Sequence, residues 1–253
     1  MRFANKIIII TGASEGIGKF AAEKLVKEGA QLVINARGIE RLDQLKEELS
    51  EFGHTPLVVA GDATLPATAE CLANKTLKQF GRIDGLVNNI GGASHLRYLE
   101  DITDEDWDHT HNFNLKSAFL LCKQVIPIMK TQRYGRVVNV SSLAGRDKSR
   151  LGGLQYASAK AGLLGLTRHL ASEVGGFGIT VNAVAPGIAL TERAKGKWEA
   201  LSAQEREHIL ATIPLHRLAQ PEEMAGAIVF LISDEASYIT GVSLDVNGGS
   251  YMA

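Results

Sequence analysis

A doubly wound α/β fold, with helices on both faces of a parallel sheet, is what this 253-residue chain predicts. Three observations predict it. Short, continuous apolar runs recur along the chain, helical stretches separate them, and the first run passes through a glycine-rich turn straight into the first helix. Strands without polar alternation are buried on both faces, as a helix-covered parallel sheet requires. Alternating strands and helices then imply right-handed crossovers within one sheet. A single α/β domain reaches about 250 residues, so residues 1–253 read as one domain.

The strands are expected at Ile7 to Ile10, Leu32 to Asn35, Leu57 to Ala60, Leu86 to Val87, Val137 to Val140, Val181 to Val184 and Leu244 to Val246. After the first, Ala21, Leu25 and Glu28 recur at helical spacing. After the second, Leu42, Leu45 and Leu49 form an apolar stripe. Trp107 to Met129 reads as one long, largely apolar helix, packed on the sheet or on another subunit. Helical character returns at Ala157 to Glu173 and Glu222 to Ile232. The polar segment at about 188–213 breaks the alternation and reads as a mobile lid or insertion near the site, because irregular segments in such folds often cover ligands.

The formal net charge is -1 and no basic tail is present, so nothing attracts nucleic acid or an anionic membrane. Cys71 and Cys122 lie in helical stretches without ligand spacing and read as small buried hydrophobes. The dispersed histidines suggest no metal. With no disulfide framework, no signal-like start and no apolar run near the ~18 residues of a membrane span, a cytoplasmic protein is expected.

The turn TGASEGIG (11–18) follows four isoleucines and opens a helical stretch. Gly12 permits a tight turn, while Gly16 and Gly18 permit close backbone approach and close helix packing. The helix N-terminus then offers free N–H groups and a positive dipole end to a pyrophosphate, so the fold is Rossmann-type. The second strand ends in LVINAR (32–37), with Ala36 where an acid would bond a ribose 2′-hydroxyl. Arg37 can instead pair with a 2′-phosphate. NADP(H) is therefore favoured, with NAD(H) as the alternative. Glu15 in the turn argues the other way.

YASAK (156–160) puts Tyr156 and Lys160 on one helix face. A free tyrosine, with a pKa of about 10, is a poor base, and an adjacent ammonium stabilises its phenolate. Ser141 and Ser142 end an apolar strand at the carboxyl edge where doubly wound folds bind ligands, so a serine hydroxyl can donate to a carbonyl there.

These elements, in order with Asp62, NNIG (88–91), Asn114 and APG (185–187) followed by Thr191, resemble those of the short-chain dehydrogenase/reductase family over essentially the whole chain, in particular a member like a 3-oxoacyl-carrier-protein reductase. The resemblance implies hydride transfer between a nicotinamide and a carbonyl or alcohol. Tyr156 would be the acid/base, Ser142 would hold the carbonyl, Lys160 would bond the nicotinamide ribose and tune Tyr156, and Asn114 would hold a connecting water. Ser142 directly precedes LAG; Ser141 is the alternative, because the loop to Tyr156 is about one residue longer than usual. Cofactor contacts would come from Gly12, Ser14, Glu15, Gly16, Ile17, Gly18 and Arg37, then Asp62, Ala63, Asn88 and Gly91. Pro186, Gly187, Ile188 and Thr191 would complete them, with Tyr156 and Lys160. Two departures are Ile90, in the place of an alanine, and Glu15. A homotetramer is also implied.

Loop cations cluster near the expected pocket mouth: His95 and Arg97, then Arg146, Lys148 and Arg150, then Arg193, Lys195 and Lys197. They suggest an anionic substrate, such as a 3-oxoacyl thioester or small acid, with His95, Arg97, Arg150 and Arg193 as contacts. The bland alternative is solvated faces paired with Asp147, Glu192 and Glu199. A sugar, diol or hydroxy-acid dehydrogenase using NAD would share every catalytic residue. A non-catalytic dinucleotide sensor is a different class, disfavoured because a sensor needs no acid/base set.

Overall fold

The computed structural model describes residues 1–93, 97–148 and 152–252, with residue 197 described by its main chain. Seven strands form one parallel sheet: β1 (Ile7–Thr11), β2 (Gln31–Ala36), β3 (Leu57–Ala60), β4 (Gly85–Asn88), β5 (Gly135–Val140), β6 (Ile179–Pro186) and β7 (Ser243–Val246). Their spatial order is β3-β2-β1-β4-β5-β6-β7, so the winding reverses between β1 and β4. A ligand crevice opens at the carboxyl ends of strands at such a reversal.

The isoleucine run shows why the sheet is buried on both sides. Successive strand residues point to opposite faces. Ile8 and Ile10 enter one apolar cluster with α1 (Gly16–Lys27), α2 (Ile39–Ser50) and α9 (Pro221–Leu231). Ile7 and Ile9 enter another with α3 (Pro66–Phe80), α5 (Ser117–Gln132) and α6 (Gly153–Val174). Full burial of each such side chain contributes about 1.5–3 kcal/mol before ordering costs.

One helical expectation needs correction. The long helix starts before Trp107, at α4 (Asp104–His111), and reaches α5 through a π-turn at Asn112–Lys116. Its start is fixed by a reciprocal cap, in which Thr103 Oγ1 accepts from Asp106 N at 3.1 Å and Asp106 accepts in return from Thr103 N at 3.3 Å. The 188–213 segment, expected as a lid or insertion, carries α7 (Glu192–Glu199) and α8 (Ala203–Leu210). Polar side chains cap both: Thr191 Oγ1 accepts from Ala194 N at 3.3 Å, and Ser202 Oγ accepts from Glu205 N at 3.2 Å. Among the described residues, no helix is long and apolar enough to cross a membrane.

Candidate active site

The turn after β1 depends on glycine. Gly12 and Gly16 adopt φ of 61° and 56°, left-handed values that other residues adopt only under strain. A Cβ on Gly18 would run into the Gly12 carbonyl and stand 2.5 Å from Asn89 Nδ2, so this glycine sets how closely α1 approaches the turn. No side chain caps α1 at Glu15, which leaves its first N–H groups facing a cleft of about 910 Å³.

Ser14, Glu15, Gly16 and Ile17 line that cleft at the helix start. Arg37 lines it after β2, Asp62 and Ala63 after β3, and Gly91 after β4. Pro186, Gly187, Ile188 and Thr191 line it after β6, and Ser142, Tyr156 and Lys160 line it too.

Asn88, expected at the cofactor, turns into the sheet instead. It is buried and donates to Asn139 Oδ1 at 2.8 Å, because an in-facing polar residue of a central strand must find a partner there. Its neighbour Asn89 lines the cleft, donating to the carbonyls of Thr11 at 3.2 Å and Gly12 at 2.9 Å. The doubled asparagine was the available signal, and strand alternation chooses the second.

α6 carries Tyr156 and Lys160 one turn apart. Lys160 is 2% exposed and donates from Nζ to the Val140 carbonyl at 2.8 Å. Burial lowers its pKa from 10.5 to about 7. Its ammonium position lies 5.9 Å from the Tyr156 ring centre. The expectation of an acidified phenol is corrected here: burial raises the Tyr156 pKa, and a hydrogen bond with Ser142 opposes that rise in part.

The two serines divide cleanly. Ser141 Oγ donates to the buried Lys160 carbonyl at 2.9 Å and ties β5 to α6. Ser142 Oγ accepts from Ala144 N at 3.1 Å and faces Tyr156.

Asn114 sits in the π-turn, a feature frequent at functional sites. Its Oδ1 accepts from Gly92 N at 2.9 Å, and its Nδ2 donates to the carbonyls of Gly92 at 3.1 Å and Thr110 at 3.0 Å. It stands behind the cleft wall. A Cβ on Gly91 would lie 2.5 Å from Lys160 Nζ and 2.8 Å from Asn114 Oδ1, so the bare backbone at Gly91 lets those side chains converge.

The loop cations are largely neutralised. Arg97 does not line the cleft and pairs with Asp106. Arg146 forks onto Asp245 at 3.2 and 3.1 Å. Arg193 lines the cleft but is held by Glu15 at 2.8 Å, and the other Glu15 oxygen holds Arg41 at 2.9 Å. His95 and Arg150 lie outside the described residues. Sequence reasoning missed the Glu15 bridge and the apolar residues that α7 and α8 give to the cleft.

A family model described as Enoyl-(Acyl carrier protein) reductase matches residues 12–251. The chain is 40% identical to the 3-oxoacyl-[acyl-carrier-protein] reductase FabG of Escherichia coli (strain K12), covering 100% of both chains. It is 39% identical to the 7alpha-hydroxysteroid dehydrogenase of Bacteroides fragilis, covering 98% of this chain and 95% of that protein. Among solved structures, levodione reductase superposes with a TM-score of 0.92 at 33% identity, covering 98% of each chain. YwfH, described as an NADPH dependent reductase, gives 0.91 at 30%, covering 98% of this chain and 99% of that one.

Proposed function

The chain belongs to the short-chain dehydrogenase/reductase family and is a nicotinamide-dependent oxidoreductase of CH–OH groups; within that class we propose that it works with NADP(H), using Tyr156 as acid/base. The observation that carries this reading is that Ser142, Tyr156 and Lys160 line the same cleft as the glycine turn.

The chain's residues fit a dinucleotide. The uncapped start of α1 suits a diphosphate, Gly12 and Gly16 line the cleft in the turn before it, and Gly18 lets the helix pack close against that turn. Arg37 lines the cleft with no carboxylate on it among the described residues, which suits a 2′-phosphate. Asp62 and Ala63 would meet the adenine, Lys160 the ribose, and Ile188 and Thr191 the nicotinamide amide. Glu15 is the feature that favours NAD(H), but Arg41 and Arg193 occupy its two oxygens and cancel its charge.

When bound, the nicotinamide supplies hydride to a carbonyl carbon or takes it from a carbinol. Ser142 and Tyr156 hold the substrate oxygen. Tyr156, kept protonated by burial, gives its proton to that oxygen in reduction. The charged form of Lys160 steadies the phenolate that remains, and Asn114 and Lys160 return the proton from solvent. Relatives named for a carrier-bound acyl group and for a steroid leave the substrate open by likeness alone. A homotetramer belongs to the same proposal, supported by the exposed Trp107 and Phe119 along α4 and α5.

Calorimetric titration with NADPH, NADH and their oxidised forms tests the cofactor assignment. NADPH is expected to bind at least about tenfold more tightly than NADH. Equal affinity, or a preference for NADH, contradicts the assignment.

A further inference from the structure

The dinucleotide residues leave one wall of the cleft, beside Ser142 and Tyr156, without a role. That wall is apolar. Leu143 follows the serine, and Trp198, Leu201, Ile209, Ile213 and Leu218 come from α7, α8 and the turn beyond them. The five aliphatic side chains cannot pair with a carboxylate or phosphate, and the indole N–H of Trp198 is the one donor among the six, so an anion buried against them would lose most of its hydration uncompensated. They instead suit a bulky hydrocarbon body, with an indole for a flat ring to lie against.

The mouth adds a second, electrostatic argument. The main chain at Arg97 passes 3.6 Å from where a Gly153 Cβ would stand, and Gly152 backs directly onto the Tyr156 ring. The segment that starts there carries Glu100, Asp101, Asp104, Glu105, Asp106 and Asp108, and Arg97 is spent on Asp106. The loop cations Arg146 and Arg193 are likewise spent on Asp245 and Glu15. Lys148 lines the cleft with no carboxylate on it among the described residues, while the acidic segment beyond Arg97 has only Asp106 paired with that arginine. An acidic carrier protein that docked across the 100–108 segment would meet charge of its own sign there.

Resting on the reductase reading above, we propose that the site takes a free, uncharged ketone or secondary alcohol with an alicyclic or fused-ring body, in preference to an acyl group on an acidic carrier. The carbonyl carbon gains hydride, its oxygen gains the Tyr156 proton, and NADPH is released as NADP+, so no further reactant is needed. Trp198 contributes to recognition of the ring body and touches no part of the carbonyl chemistry.

The test compares decalone and α-tetralone with levulinate, acetoacetyl-coenzyme A and acetoacetyl-acyl carrier protein as substrates with NADPH. The ring ketones are expected to show kcat/KM at least about tenfold above every anionic substrate. Trp198→Ala is expected to lower that value at least about tenfold, through KM, and Trp198→Phe to restore most of it. A readout without turnover uses Tyr156→Phe in a Trp107→Phe background, where decalone should quench the Trp198 fluorescence saturably and levulinate should not. Highest kcat/KM on the carrier-bound thioester, or no effect of Trp198→Ala, overturns this proposal and leaves the reductase assignment standing. No turnover of any carbonyl with either reduced dinucleotide overturns both.

Discussion

Lys160 Nζ lies 5.9 Å from the centre of the Tyr156 ring while it donates to the Val140 carbonyl at 2.8 Å. The ammonium is thus held by main chain, in a buried position, with the phenol as its neighbour. Burial acts on the two groups in opposite senses, favouring a neutral lysine and a protonated tyrosine. A tyrosine in that state is ready to donate a proton, and the lysine is poised to gain or lose its charge near neutrality.

A stability cost follows for Lys160. Its folded pKa, about 7, is below the ordinary 10.5, so the unfolded chain binds the proton more tightly. The cost is full below about pH 7 and fades as pH rises toward 10.5. Lys160→Met is expected to be inactive yet more stable than the parent by ~1–2 kcal/mol at about pH 6, less the lost Val140 bond. Thermal unfolding should show a rise of about 2–4 °C per kcal/mol, shrinking as pH approaches 10. A variant less stable at every pH contradicts the buried-charge argument.

The same group shapes the reductive pH profile. The charged form of Lys160 is the one that steadies the phenolate, so kcat/KM for ketone reduction should be level below about pH 7 and fall above it. Lys160→Arg, always charged, should lose that decline while working more slowly. A profile that rises through pH 7 would contradict the assignment.

Ser141 and Ser142 should separate by readout. Ser142→Ala is expected to lower kcat about 10²-fold with little change in thermal stability. Ser141→Ala removes the side-chain bond to the Lys160 carbonyl that ties β5 to α6 and should cost ~1 kcal/mol in urea unfolding, with a smaller effect on rate. The reverse pattern would exchange their roles.

Glu15 should restrain phosphate recognition through the two arginines that it holds. Glu15→Gln frees Arg41 and Arg193 and is expected to tighten NADPH binding up to about fivefold, exposed ion pairs being worth up to ~1 kcal/mol. NADH binding should be unchanged. Arg37→Ala should weaken NADPH about tenfold and leave NADH unaffected. Parallel changes for both dinucleotides would remove the 2′-phosphate from Arg37.

What the sequence discloses follows the range of the interactions. Leu57–Ala60 is found at its expected bounds, and all seven strands occur, because continuous apolar runs between helices have few other places to go. The catalytic spacing of Tyr156 and Lys160 is equally local, since it needs one helix. α7 and α8 were hidden because their signals are caps inside a polar stretch, where an apolar period is absent. Asn88 and Asn89 exchanged places because one register step in a strand reverses the face. The Glu15–Arg193 pair joins residues 178 positions apart and exists only once α7 folds over the glycine turn. The charge at the mouth stayed open between two readings for the same reason: the partners of Arg97, Arg146 and Arg193 are Asp106, Asp245 and Glu15, which only the fold brings to them.

The proton role of Tyr156 beside a bound nicotinamide is tested most directly by following deuterium from C4 of labelled NADPH into the product alcohol, with the parent protein and with Tyr156→Phe. The label is expected on the carbinol carbon without washout to water, and Tyr156→Phe should cut turnover about 10³-fold or more while NADPH affinity stays within about threefold. Loss of the label to solvent, or comparable turnover by the phenylalanine variant, would contradict direct transfer with Tyr156 as the proton donor.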